Sequence, residues 1–338
     1  MIKDDYQFAL MFFREDESAV GQIAVAVDWE PAREWTEFLA LRRGTIVAAG
    51  GDAEIVPSWD PKLGEPYLTG FQVALEANGS GQVSTEFPVT YFKGLASEGS
   101  AHFVDKGELK AGEPFRYLAA AFPKQEQTGA VSRPLFVAED LSPPLPLRDA
   151  SLGTVSRGTW LHGGPHPDDL PAFVPQRVLD EAAALSRDAG ALETGGILIG
   201  HLYRDSGVPE IFAEVTAQLP ARHTEAQSTK LTFTAATWTD IRAALDLRRS
   251  GEIMLGWWHS HPVREWCKDC AVERQKVCGM ASDFFSTHDQ ALHRTVFSRA
   301  YNLALVVNDV GFSAPTFSMF GWRRGMIKSR GFQVRGKG

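Results

Sequence analysis

The sequence predicts an α/β (α+β) chain of two domains, and three observations carry that expectation. The chain has 338 residues, and domains run to roughly 100–200 residues each. Short apolar runs bounded by turn residues crowd the first 140 positions. Beyond residue 172, apolar strands alternate with helical periodicities, an order that sets helices around a sheet.

Residues 1–140 read as a strand-rich first domain of unknown role. Residues 7–13 and 22–28 have the look of short apolar strands. Residues 71–77 and 83–92 flank Asn78-Gly79-Ser80-Gly81, a hairpin-turn composition. Residues 31–41 suit a short helix with Trp35, Phe38 and Leu39 on one face. No phosphate-binding loop, dinucleotide fingerprint or serine elbow is present. Residues 141–172 hold Pro143, Pro144, Pro146, Gly163, Gly164, Pro165, Pro167 and Pro171. This stretch reads as a linker, or as an irregular segment packed across a domain surface.

The second domain spans 173–338. It opens on a helix with Pro175 in its first turn, Val178, Ala182 and Leu185 on one face, and Gly190 at its end. Strands follow at 195–203, 210–219 and 230–234. Trp238, Ile241 and Leu245 mark a second helix. Residues 253–258 form an apolar strand that runs straight into His259. A third helix begins at Ser286, and residues 301–308 form a further strand.

Composition narrows the function. Hydrophobic residues make up 44% and charged residues 22%, the balance of a soluble globular chain. A net charge of −8 argues against general nucleic-acid binding, which needs clustered Lys and Arg. The end of the chain departs from this, with Arg323, Arg324, Lys328, Arg330, Arg335 and Lys337 and no acid among them. It reads first as a solvated terminal segment and second as a contact for an acidic partner. No apolar run approaches the roughly 18 residues of a membrane span, and the start lacks the pattern of a signal peptide. The expected location is cytoplasmic. Three cysteines, an odd number, do not suggest a secreted disulfide framework.

The residues that carry chemistry begin at His259-Ser260-His261-Pro262. Two His two apart on a strand point to the same side, so both imidazoles can face one ion. Ser286-Thr287-His288-Asp289 then sets a carboxylate one turn into a helix. Two His and one Asp give three protein ligands, the usual number for a catalytic zinc that keeps a fourth position open. Ser286-x-x-Asp289 is also a helix capping pattern, and the two readings are compatible.

With Glu193 ahead of an apolar strand that begins Gly195-Gly196, this set resembles the JAMM/MPN (Mov34/PAD-1-like) zinc metallopeptidases, of the ubiquitin-like isopeptidase type. The resemblance covers roughly residues 173–320. It implies a cytidine-deaminase-like sheet with flanking helices. It also implies Zn2+ held by His259, His261 and Asp289, lowering the pKa of its water from about 15.7 to about 7. Glu193 would be the general base, and Ser286 would donate a hydrogen bond to the developing oxyanion. Ser260, on the opposite side of the strand, would be structural.

One departure stands out. Residues 263–285 separate Pro262 from Ser286, where the family carries a shorter spacer. The insertion, at 263–283, holds all three cysteines as Cys267-x-x-Cys270 and Cys278. They suit a second, structural zinc, three unmodified thiols, or a redox sensor. A fourth ligand would come from His288, His293, Asp269 or a partner. The insertion could also serve as a lid or substrate-reading loop.

The resemblance implies an isopeptidase or peptidase that cuts amide bonds at the C-terminus of a ubiquitin-like protein, in deconjugation or precursor processing. In bacteria, similar proteins accompany activating and conjugating enzymes of ubiquitin-like conjugation systems, some linked to antiviral defence. The partners expected are thus a ubiquitin-like protein or its conjugates and the enzymes of the same system. Two alternatives are a non-catalytic MPN scaffold and a RadC-like, DNA-associated protein. Intact Glu193, His259, His261 and Asp289 count against the first. Ser260 between the histidines and Val263-Arg264 after the proline count against the second.

Overall fold

The computed structural model describes residues 2–45, 47, 52–77, 81–124, 145–222, 224–226, 231–271, 273–274, 284–309 and 314–336. The chain divides into two compact units, Met1–Pro144 and Leu145–Gly338. Both mix helix and strand.

The first unit runs β1 (Ile2–Lys3), β2 (Tyr6–Arg14), β3 (Ala19–Val25), α1 (Glu30–Arg42), β4 (Ala53–Trp59), β5 (Leu68–Glu76), β6 (Gln82–Pro88), α2 (Lys93–Asp105) and β7 (Phe115–Pro123). Its described strands form two sheets, ordered β1-β4-β5-β6 and β3-β2-β7. Trp29, Phe71, Phe87 and Phe92 pack ring on ring in its core. The expected strand over 83–92 ends early. Residues Val89–Phe92 form a 3-10 turn that leads into α2. That helix gives little sequence signal because its buried face is Ala96, Gly99 and Phe103, two of them small. The expected turn at Asn78-Gly79-Ser80 lies outside the described residues.

The second unit runs β8 (Leu147–Asp149), α3 (Leu152–Val155), β9 (Thr159–His162), β10 (Ala172–Pro175), α4 (Gln176–Ala189), β11 (Gly195–Asp205) and β12 (Glu210–Pro220). It continues through β13 (Thr224–Ala226), β14 (Leu231–Phe233), α5 (Ala235–Arg248), β15 (Ile253–His261) and α6 (Val263–Trp266). It ends with α7 (Thr287–Val296), β16 (Leu303–Asn308), β17 (Thr316–Arg323), β18 (Met326–Arg330) and β19 (Phe332–Arg335). Among the described residues the main sheet is ordered β18-β17-β16-β15-β11-β12-β10-β19-β9, with β8 also paired to β11. β13 and β14 form a separate hairpin.

β15 lies in the interior of the sheet, antiparallel to β11 and parallel to β16. Its residues 255–261 are buried throughout, as a strand covered on both faces should be. On one face Ile197, Ile199, Trp257, Ala304 and Val306 meet Ile241 of α5 and Phe297 just beyond α7. α5 is capped by Thr234, whose side chain accepts from the Thr237 N–H, as a threonine N-cap does.

Two expectations are corrected here. Residues 141–172 are not a plain linker. Their described part supplies β8, β9 and the start of β10 to the main sheet, with the short helix α3 between β8 and β9. The basic end of the chain is not a solvated tail, because it forms β17–β19. There Arg323 makes a two-pronged pair with Asp169 at 2.7 and 2.8 Å, and Arg324 reaches Asp168 at 2.9 Å. Arg335 pairs with Glu214, and Arg330 is buried with a hydrogen bond to the Leu170 carbonyl. These arginines spend their charge inside the unit, closing the 168–170 segment over the sheet. Lys337 lies outside the described residues. Among the described residues no helix is long and apolar enough to cross a membrane.

Candidate metal centre

Strand alternation places His259 and His261 on one side of β15, and α7 brings Asp289 to them. The three are 0%, 1% and 9% exposed, and one ligand atom from each lies within 4.8 Å of the other two. His259 Nε2 is 3.0 Å from His261 Nε2 and 3.3 Å from Asp289 Oδ1. His261 Nε2 is 3.8 Å from Asp289 Oδ2. Tetrahedral donors about 2.0–2.2 Å from a zinc ion stand about 3.3–3.6 Å from one another, and the observed separations straddle that range. Three lone-pair donors converging in a buried space repel one another, and a divalent cation turns that repulsion into attraction. The residues fit such an ion.

The tautomer of His261 agrees. Asn308, its register partner on β16, donates through Nδ2 to Ser318 Oγ at 3.5 Å and turns Oδ1 toward His261 Nδ1 at 3.2 Å. Nδ1–H therefore donates to Asn308, and the Nε2 lone pair faces Asp289 and His259. A ligating imidazole is commonly fixed by such a partner. Asn308 carries no local sequence signal, because its role depends on strand register. Burial lowers the pKa of His261, keeping the ring neutral, although Asp289 pulls the other way.

Asp289 serves two ends at once. Ser286 is the N-cap of α7. Its Oγ accepts from the Asp289 N–H at 3.1 Å, while Asp289 Oδ2 accepts from the Ser286 N–H at 2.8 Å. This reciprocal box fixes the carboxylate, and Oδ1 remains for His259. Burial opposes ionisation of Asp289, but His259, His261 and the Ser286 cap hold its pKa well below the ordinary carboxylate range. The Ser286 hydroxyl accepts in the cap and keeps its own proton to donate.

Glu193 lies in the turn between α4 and β11 and is 4% exposed. Burial pushes its pKa up to about 7, with Asp289 adding and His259 opposing. The turn is tied to β15 at two points. Thr194 N–H donates to Ser260 Oγ at 3.0 Å, and Ser260 N–H donates to the Thr194 carbonyl at 2.8 Å. Ser260 thus holds the loop that carries Glu193 while its neighbours face the metal centre. Gly195 is paired with His259. A Cβ there would stand 2.3 Å from the Trp258 carbonyl oxygen, so only glycine permits this approach.

Beside Asp289 is a cavity of about 240 Å³ lined by Leu231, Phe233, Trp238, Leu292 and Val296, with Thr232 and the exposed His288. Sequence reading missed it, because β14, α5 and α7 each supply only part of the wall.

The cysteine expectation finds less support. Cys267 is buried against Val263 and Trp266, and Cys270 is exposed. Cys278 lies outside the described residues. Among the described residues the metal-capable cluster is His259, His261 and Asp289, with no cysteine in it. His293 is fully buried and its Nδ1 accepts from Trp257 Nε1, and among the described residues it joins no cysteine in a metal-capable cluster.

Residues 175–265 match the Prok-JAB family, described as prokaryotic homologs of the JAB domain. That match supports a JAB/MPN family for the second unit. The solution structure of protein DSY2949 from Desulfitobacterium hafniense is 19% identical, with 49% of this chain and 94% of that chain covered and a TM-score of 0.34. No curated protein matches the chain.

Proposed function

We propose that the second unit is a zinc-dependent isopeptidase or peptidase that hydrolyses the amide bond at the C-terminus of a ubiquitin-like protein. The observation that supports this is a buried cluster of two imidazoles and a carboxylate, together with the buried Glu193, whose carboxyl is pushed up to about 7 by burial and feels the charges of His259 and Asp289. Two imidazoles with one carboxylate are a donor set suited to zinc in a hydrolase. When bound, zinc acts as a Lewis acid that acidifies a water and polarises a carbonyl.

The chain's own groups supply the rest. His259, His261 and Asp289 would hold the ion. Glu193 takes a proton from the attacking water and returns it to the leaving amine nitrogen. A base with a pKa near the working pH is efficient at both transfers. The Ser286 O–H donates to the carbonyl oxygen as charge builds there. The apolar cavity beside Asp289 would receive a hydrophobic side chain of the substrate. The partners follow from this substrate class: a ubiquitin-like protein or its conjugates, and the activating and conjugating enzymes of its system.

Zinc content and cleavage of a ubiquitin-like fusion test the reading together. Wild type is expected to hold catalytic zinc and cut. Glu193→Gln is expected to keep the metal and lose turnover. Cleavage that persists in Glu193→Gln overturns the role of Glu193 as general base; a chain that binds no zinc and cuts nothing overturns the enzyme assignment and leaves a non-catalytic scaffold.

A further inference from the structure

His293 is hard to explain as core. It is 0% exposed, and burial drives its pKa down to about 3, so the ring is neutral. Trp257 Nε1–H donates to His293 Nδ1 at 3.1 Å. The proton of the neutral ring therefore sits on Nε2, which is buried without a hydrogen-bond partner. Phe285, Phe297 and Trp322 surround the ring. A buried polar atom left unsatisfied costs stability, and apolar side chains in place of both His293 and Trp257 would avoid that cost.

The position of the pair suggests what the cost secures. His293 is one helical turn beyond Asp289 on α7. Trp257 is two residues before His259 on β15, so both side chains share one face of the strand. The indole stacks on the His259 imidazole with centroids 4.6 Å apart and planes at 13°. One side chain therefore touches a ligand on the strand and grips the helix that carries another. An apolar contact would pack the two elements but would not fix their sliding or rotation, whereas a directed N–H···N bond does.

We infer that Trp257 and His293 are positioning residues that set the separation between Asp289 and the His259–His261 pair. This rests on the metal-site reading of the previous section. Groups of this kind typically cost about 10–100-fold in metal affinity when removed.

Cobalt is the probe, added to metal-free full-length chain. His293→Phe keeps an aromatic ring but cannot accept from the indole. Trp257→Phe keeps a ring over His259 but cannot donate. His293→Gln retains an acceptor. His293→Phe and Trp257→Phe are expected to bind Co2+ about 10–100-fold more weakly, with a changed d–d absorption band. His293→Gln is expected to stay nearer to wild type. The double variant is expected to lose no more than the worse single, since both remove one bond. Urea unfolding of the metal-free chains is the control, where His293→Phe is expected to stay close to wild type, because it removes the unpaired His293 Nε2–H but leaves the Trp257 indole N–H unpaired instead. If His293→Phe fails to fold, Trp257→Phe carries the test. Wild-type Co2+ affinity and spectrum in these variants overturn the inference alone. A wild-type chain that takes up no Co2+ overturns the metal reading beneath it.

Discussion

The unusual carboxyl of Glu193 makes a stability prediction that needs no substrate. Its pKa rises from 4.5 to about 7 in the fold because burial penalises the charged form. A group whose folded pKa exceeds its unfolded value binds its proton more tightly in the folded state. Below about pH 4.5 both states are protonated and nothing is lost. As pH rises, the unfolded chain ionises first, and folding is penalised up to about 2.303RT times the shift. At 1.36 kcal/mol per pH unit, the penalty is about 0.8 kcal/mol at pH 5 and about 3.4 kcal/mol at pH 8. Glu193→Gln cannot ionise, so it should be more stable than wild type by a margin that grows by about 2.5 kcal/mol between those pH values. Urea unfolding of EDTA-treated protein, followed by tryptophan fluorescence, measures it. Taking the difference between the two proteins cancels other titrating groups. Added zinc should shrink the margin at pH 8, because a nearby cation favours the ionised carboxylate. An unchanged margin between pH 5 and pH 8 would refute the picture of a desolvated base.

Ser286→Ala should lose about 1 kcal/mol of stability through the broken cap and about 10²–10³ in cleavage rate, with zinc retained. Unfolding and kinetics on the same preparation check both, and an unchanged rate would remove the oxyanion role. His261→Ala and Asp289→Ala should each abolish stoichiometric catalytic zinc, read by elemental analysis. Gly195→Ala should destabilise the unit, since its Cβ would meet the Trp258 carbonyl oxygen at 2.3 Å. A melting temperature equal to wild type would show that the strands can part. Arg323→Ala should cost about 1.5–3 kcal/mol by leaving the 8%-exposed Asp169 side chain without its cation. High salt should weaken that effect little, because the pair is mostly buried.

The sequence alone determined what depends on residue type and short spacing. His259 and His261 on one side of a strand follow from the two-residue period of extended chain. Ser286 and Asp289 follow from capping chemistry, which is local to four residues. The helices at 176–189 and 235–248 were legible because their apolar positions recur at the helical period. Tertiary structure decided everything that depends on register or distant partners. Asn308 meets His261 only because β16 lies in parallel register with β15. Asp168 and Asp169 look like turn residues until Arg323 and Arg324 arrive from over 150 positions away. A seeming linker and a seeming basic tail thus become one closure of the sheet. The pKa of Glu193 belongs to the same class, for desolvation is a property of what surrounds a group, and no window of sequence contains its surroundings.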